Sequence, residues 1–238
     1  MPSGYREIQT QTNQRFNYPQ VHEFEKLKVT AIASGSTGNA VLVQGVGDDK
    51  GIMIDLGVAY KHIKPYELNI DAVCYTHLHK DHWKQSTMDK LKVVNPKCLY
   101  IEPQGSGIPY LRNGVNGFDA TIPHNTWAVI KNKYRVMCIP TPHAVPNVAW
   151  IVQFLDTGAT YFHATDLADI SHISCKGADI YGLEANYSDV MELVNRKNGH
   201  EVVSATTHLS TENALAWFEL NKTEHSKLIL LHESKIFN

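Results

Sequence analysis

The stretch Thr76-His77-Leu78-His79-Lys80-Asp81-His82-Trp83 places three histidines and an aspartate within six residues. Imidazole nitrogens and carboxylate oxygens are ligands for zinc and similar divalent cations. In extended backbone, side chains two positions apart point the same way, so His77 and His79 can reach one metal. Asp81 and His82 follow across a tight turn. Adjacent residues do not easily share a face, so this pair most naturally addresses a second metal. Chance assembly of H-x-H-x-D-H is improbable even in a 238-residue chain with 13 histidines. Further candidate ligands recur where apolar runs end: His143 after MCIPTP, Asp166 after TYFHAT, His208 after VVSATT and His232 after LILL. That is one more than two four-coordinate metals with a shared bridging group require.

Such ligands need rigid backbone behind them and an open loop in front. The sequence supplies short strands in that arrangement. KVTAIAS (28–34) and AVLVQG (40–45) flank the turn GSTGN, and GIMIDLG (51–57) and DAVCYTH (71–77) follow. KPYELN is turn-like, 84–94 has helical spacing, and CLYIEP (98–103) returns as a strand. TWAVI, YRVMCIP, VAWIVQFL, ATYFHATD, ADIYGLEAN (178–186) and KLILLHE (227–233) are enriched in β-branched and aromatic residues. SDVMELVNRK and STENALAWFEL read as helices, with Ser188 and Ser210 as N-caps. Strands followed by helices in each half predict two mixed sheets packed face to face with helices outside. Residues 1–26 are polar and aperiodic and read as an N-terminal extension, so the domain is expected over 27–238.

His77-x-His79-x-Asp81-His82, then His143, Asp166 and a late histidine, with Asp55 ending IMIDLG, resembles the metallo-β-lactamase superfamily. The resemblance implies an α/β fold, a four-layer αββα sandwich. It implies that His77, His79 and His143 bind one metal, that Asp81, His82 and a terminal histidine bind the other, and that Asp166 bridges them. The cofactor would be two Zn2+, with Mn2+ as the alternative. Asp55 would anchor the ligand loop, not bind metal. The tail, GLEAN with Glu184, TTHLST with His208 and LILLHES with His232, resembles the phosphodiesterase branch that includes ribonuclease Z and WalJ-type exonucleases. ASGSTGN and PHAVPNVAWIV are WalJ-like in wording. In that branch the last histidine is the ligand, which assigns His232. His208 becomes a proton donor oriented by Glu184, and Asp81 both binds metal and handles a proton. Ser36, Thr37 and Asn39 in the glycine-containing turn, and Asn147, are candidate substrate contacts.

Between His143 and Asp166 lie about two dozen residues, already filled by two strands. No transfer-RNA-holding arm fits there. The net charge of −2 and the lack of a Lys/Arg block do not favour a broad nucleic-acid surface. A small phosphodiester is therefore the expected partner. Compact members of this branch, the virus-encoded anti-Pycsar enzymes among them, open 3′,5′-cyclic nucleotides to 5′-monophosphates. A WalJ-like DNA nuclease and a lactonase- or thioesterase-type ester hydrolase are the alternatives. The resemblance further implies a homodimer. Four widely spaced cysteines without a C-x-x-C pair, no signal-like N-terminus and no membrane-spanning run lead to the expectation of a reduced, cytoplasmic protein.

Overall fold

The computed structural model describes residues 18–106, 117–187 and 207–232. The expected helix from Ser188, and the first 17 residues of the N-terminal extension, lie outside the described residues.

Alternation of side chains along the strands builds the layers. In β2 (Leu27–Ala33), Leu27, Val29 and Ala31 enter the core between the sheets, while Ile32 joins a second core on the opposite face. In β3 (Ala40–Gly45), β4 (Gly51–Ile54) and β5 (Ile70–Cys74), Val41, Val43, Ile52, Ile54, Ala72 and Cys74 face inward. Leu42, Met53 and Val73 face out, where they meet Met88 and Leu91 of α1 (Gln85–Val94). A strand with both faces covered needs apolar residues at every position, which is why these runs are continuously hydrophobic.

The first sheet has seven strands in sequential order: β1 (Gln20–Glu23), β2 to β5, β6 (Leu99–Pro103) and β7 (Ala120–Ile122). The second has six, ordered β13-β12-β11-β10-β9-β8. These are β8 (Ala128–Ile130), β9 (Tyr134–Thr141), β10 (Asn147–Phe154), β11 (Thr160–Ala164), β12 (Ile180–Glu184) and β13 (Lys227–Leu231). Val148, Trp150, Val152 and Phe154 of β10 fill the space between the sheets, and Ala149 and Ile151 meet the outer layer with Trp217 and Phe218 of α2 (Thr211–Asn221). The result is the expected αββα sandwich.

Three elements differ from the sequence reading. Gln20–Glu23, placed in the polar extension, pairs antiparallel with β2 as an edge strand. β7 has three residues, too few for a period to show. KPYELN is a 3-10 helix over Lys64–Asn69, continuing a helical turn at Tyr60–Ile63. The edge strand's alternating half-buried pattern belongs to residues whose partners come from β2, so local composition does not reveal it.

Candidate metal centre

β4 runs parallel to β5, and β11, β12 and β13 run parallel to one another. β9 and β11 both run antiparallel to β10, so β9 shares their direction. Asp55, His77, His143, Asp166, Glu184 and His232 therefore all sit at or just beyond the C-terminal ends of strands. Trp150 donates from Nε1 to the Tyr75 carbonyl at 2.9 Å, tying the second sheet to the start of the His77 loop.

Around this edge the candidate ligand atoms converge. His77 Nε2 lies 3.0 Å from His79 Nδ1, which lies 3.3 Å from His143 Nε2. A tetrahedron with zinc–nitrogen bonds of about 2.05 Å has edges of about 3.3 Å, so this spacing suits three ligands of one ion. His82 Nε2 lies 3.6 Å from Asp81 Oδ2, and His232 Nε2 lies 3.8 Å from the same oxygen, which groups these three. Asp166 stands between the two groups: its Oδ2 is 2.7 Å from His82 Nε2 and 3.4 Å from His232 Nε2. It also falls within a ligand cluster with His77 and His82.

The donor set fits divalent metal. Asp166 Oδ2 and His232 Nε2 are buried and form no well-aligned hydrogen bond among the described residues, although His82 Nε2 approaches that oxygen to 2.7 Å. A buried carboxylate is costly unless positive charge, from a metal ion or a protonated neighbour, compensates it. Burial alone would lower the basicity of His82, yet the Asp166 and Asp55 carboxylates reverse this and push its pKa up to about 10. His232 is likewise held well above its ordinary value, against burial, by Asp166, Asp81 and Glu184. The pocket thus draws positive charge. His77 goes the other way: burial and its histidine neighbours keep it neutral, with a lone pair to offer.

A beta-lactamase superfamily domain matches residues 55–232.

The chain belongs to the metallo-β-lactamase fold family.

No curated protein matches it in sequence. Solved structures of this fold superpose closely. YhfI from Bacillus subtilis is 18% identical, with a TM-score of 0.65, over 89% of this chain and 87% of that one. The short form of human tRNase Z is 15% identical, with a TM-score of 0.63, over 87% and 93%. A diphosphatase of the PhnP family is 16% identical, with a TM-score of 0.63, over 88% and 87%. At these identities the likeness establishes the shared fold.

In this metallo-β-lactamase fold protein, the other expected residues fall into distinct places. Asp55 accepts from the Thr76 amide at 2.8 Å and the Thr76 hydroxyl at 2.8 Å, and lies 2.6 Å from His82 Nδ1. It anchors the loop and the histidine ring. Glu184 is fully buried, and its Oε1 lies 2.5 Å from His208 Nδ1. Its Oε2 accepts from the amides of Leu167 at 2.9 Å and Leu209 at 3.3 Å. The His208 side chain is 18% exposed, with Nδ1 3.6 Å from Asp166 Oδ1. Ser36 and Thr37 are exposed in the β2–β3 turn.

Asn39 and Asn147, expected as substrate contacts, are both buried, with their side-chain amides bonded within the protein. Asn39 accepts from the Gly35 amide at 2.8 Å and donates to the Gly35 carbonyl at 3.1 Å and the Asp81 carbonyl at 3.2 Å, closing the turn onto the ligand loop. Asn147 donates to protein carbonyls instead.

Several supporting residues carry no motif of their own. Ser34 Oγ accepts the His232 amide at 2.7 Å, and Asn186 donates to the His232 carbonyl at 3.2 Å. Gly57 is required by space: a Cβ there would stand 1.6 Å from the Asp81 carbonyl oxygen. Thr76 adjoins the histidine motif, a signal that position alone could have supplied. His163 is buried with Nδ1 3.0 Å from the Tyr161 hydroxyl, a packed core histidine.

Proposed function

We propose that the protein is a dinuclear metal phosphodiesterase acting on a small phosphodiester, with 3′,5′-cyclic nucleotides opened to 5′-monophosphates as the leading substrate. The observation that carries this reading is the Glu184–His208 pair at 2.5 Å beside the Asp166 carboxylate. An alkoxide is a poor leaving group, so breaking a phosphodiester gains from a positioned proton donor. Glu184 occupies Nδ1 of His208, which leaves Nε2 as the nitrogen that can deliver a proton to the departing oxygen.

His77, His79 and His143 would hold one metal; Asp81, His82 and His232 the other; Asp166 would serve both. Two Zn2+ or Mn2+ would supply charge neutralisation for the phosphodiester and a water-derived nucleophile at neutral pH. Asp81, 25% exposed at the edge of the cluster, is placed to take up a proton from the incoming water. Asp55 and Thr76 hold His82 in one orientation, and the exposed hydroxyls of Ser36 and Thr37 stand ready for the phosphate or base. The structural likeness to a PhnP-family diphosphatase supports phosphorus chemistry, and that to tRNase Z supports the same branch.

A DNA nuclease is the second reading. The WalJ-like wording of ASGSTGN and PHAVPNVAWIV favours it. A substrate panel separates the two: cyclic mononucleotides, cyclic dinucleotides, linear DNA and RNA, and an acyl-homoserine lactone. Turnover of DNA without cyclic nucleotides would overturn the leading assignment, and turnover of the lactone alone would overturn phosphodiesterase chemistry. His208→Ala should retain metal and lose about 100-fold or more on cyclic nucleotides, and much less on a nitrophenyl phosphodiester. Equal losses on both would remove the proton-donor role.

A further inference from the structure

Three strand-end residues of the site carry left-handed backbone: Asp55 with φ 62°, Asp166 with φ 56° and His232 with φ 53°. For a residue with a Cβ this conformation is disfavoured, least so for Asp, Asn and His, and it persists where surrounding contacts enforce it. Asp55 is enforced by its own side-chain bonds to Thr76. His232 is enforced by Ser34 on its amide and Asn186 on its carbonyl. For Asp166 the enforcing groups are Glu184 and Asn147.

Asn147 is 3% exposed. Its Nδ2 lies 2.7 Å from the Asp166 carbonyl oxygen, 3.0 Å from that of Thr165 and 2.8 Å from Thr141 Oγ1. The two carbonyls can only accept, so the nitrogen, not the oxygen, of the side-chain amide must face them. The Leu167 amide, just beyond Asp166, donates to Glu184. Both peptide units flanking the Asp166 side chain are therefore pinned. Asn147 also pairs across the sheet with Thr141, the last residue of β9. The loop between them carries His143, and its Pro142 carbonyl accepts from the Ala168 amide at 3.0 Å. One buried amide thus ties the loop of one histidine cluster to the turn of the aspartate shared by both.

We propose that Asn147 is a positioning residue for the metal centre, holding Asp166 in its left-handed conformation and in register with His143. The inference rests on the reading of the cluster as a two-metal site. Asn147→Ala removes the donor. Asn147→Asp keeps the volume but sets carboxylate oxygens against two carbonyls. Thr141→Val breaks the third contact while leaving the Asp166 and Thr165 bonds intact.

The readouts are metal content after dialysis, Co2+ affinity by chelator competition and the visible spectrum of the Co2+-substituted protein, beside the thermal midpoint of the metal-free forms. Both Asn147 variants should lose about tenfold or more of metal affinity and change the Co2+ spectrum, with Thr141→Val close to wild type in both. Wild-type affinity and spectrum in the Asn147 variants, with a lowered thermal midpoint alone, would reduce Asn147 to a packing residue and overturn the proposal. If Asn147→Ala does not fold, Asn147→Asp decides by the same readouts. A wild-type protein binding one metal would count against the two-metal reading and not the clamp, which is then judged on the affinity of the metal that remains.

Discussion

Both oxygens of Asp55 are engaged by Thr76 and His82, so this carboxylate acts on the metal site through the groups it orients. Replacing it by Asn keeps the shape but turns one acceptor into a donor facing His82. Asp55→Asn should weaken the Asp81/His82/His232 metal by about 10–100-fold and leave the His77/His79/His143 metal nearly unchanged, as resolved by stepwise chelator titration. His163 offers a test in acid. Burial lowers its pKa to about 3. Its ordinary value is about 6.5, so the unfolded chain takes up a proton that the folded chain refuses. The contribution of neutral His163 is therefore complete about one pH unit above 6.5 and falls as pH drops toward about 3. Between about pH 6.5 and pH 5 the loss should be about 1.6 kcal/mol. His163→Gln, which does not titrate, should lack that increment when urea unfolding of the metal-free proteins is compared at the two pH values.

At the scale of elements, the ligand loop is held by a braid of three segments. Leu56 donates to the His82 carbonyl at 2.9 Å, Gly57 to the Asn39 carbonyl at 2.9 Å and Asn39 to the Asp81 carbonyl at 2.6 Å. Gly57 permits this because nothing but a hydrogen fits against Asp81. Gly57→Ala must push backbone against backbone, and should cost about 1–3 kcal/mol and release metal, measured by thermal unfolding and metal content together. The helix α2 behaves more conventionally. Ser210 accepts from the Asn213 amide at 3.1 Å as its N-cap. Ser210→Ala should cost about 1 kcal/mol of stability in denaturant unfolding.

At the scale of the molecule, each proposed metal draws ligands from both sheets. His77 and His79 follow β5 of the first sheet, and His143 follows β9 of the second; Asp81 and His82 face His232, which follows β13. Metal held there would be a clip between sheets as well as a reagent. Chelation should lower the thermal midpoint: at a thousandfold excess over Kd the linkage is about 4 kcal/mol, equivalent to about 10 °C in a chain of this size. Calorimetry with and without chelator, followed by readdition of Zn2+ or Mn2+, measures it. An unchanged midpoint would argue against ligation across the sheets. Among the described residues no helix is long and apolar enough to cross a membrane.

Features written between near neighbours were readable from residue order. The His77–His82 spacing, the continuous apolar runs that became double-faced strands and the Ser210 cap each depend on periods of two to four residues. The resemblance of the tail motifs pointed to Glu184 and His208 as partners, but their 2.5 Å approach across 24 positions depends on β12 and the segment before α2 meeting beneath Asp166. Other features had no local trace. Ser34 reaches His232 across 198 positions, and β1 becomes a strand because β2 offers it an edge. Asn147 is buried where β11 flanks β10, because the Thr165 and Asp166 carbonyls just beyond β11 meet its amide. Spacing along the chain decides which side chains can share a face. Which backbone groups stand behind them is set by the packing of two sheets, and there the left-handed geometry of Asp166 and His232 is held in place.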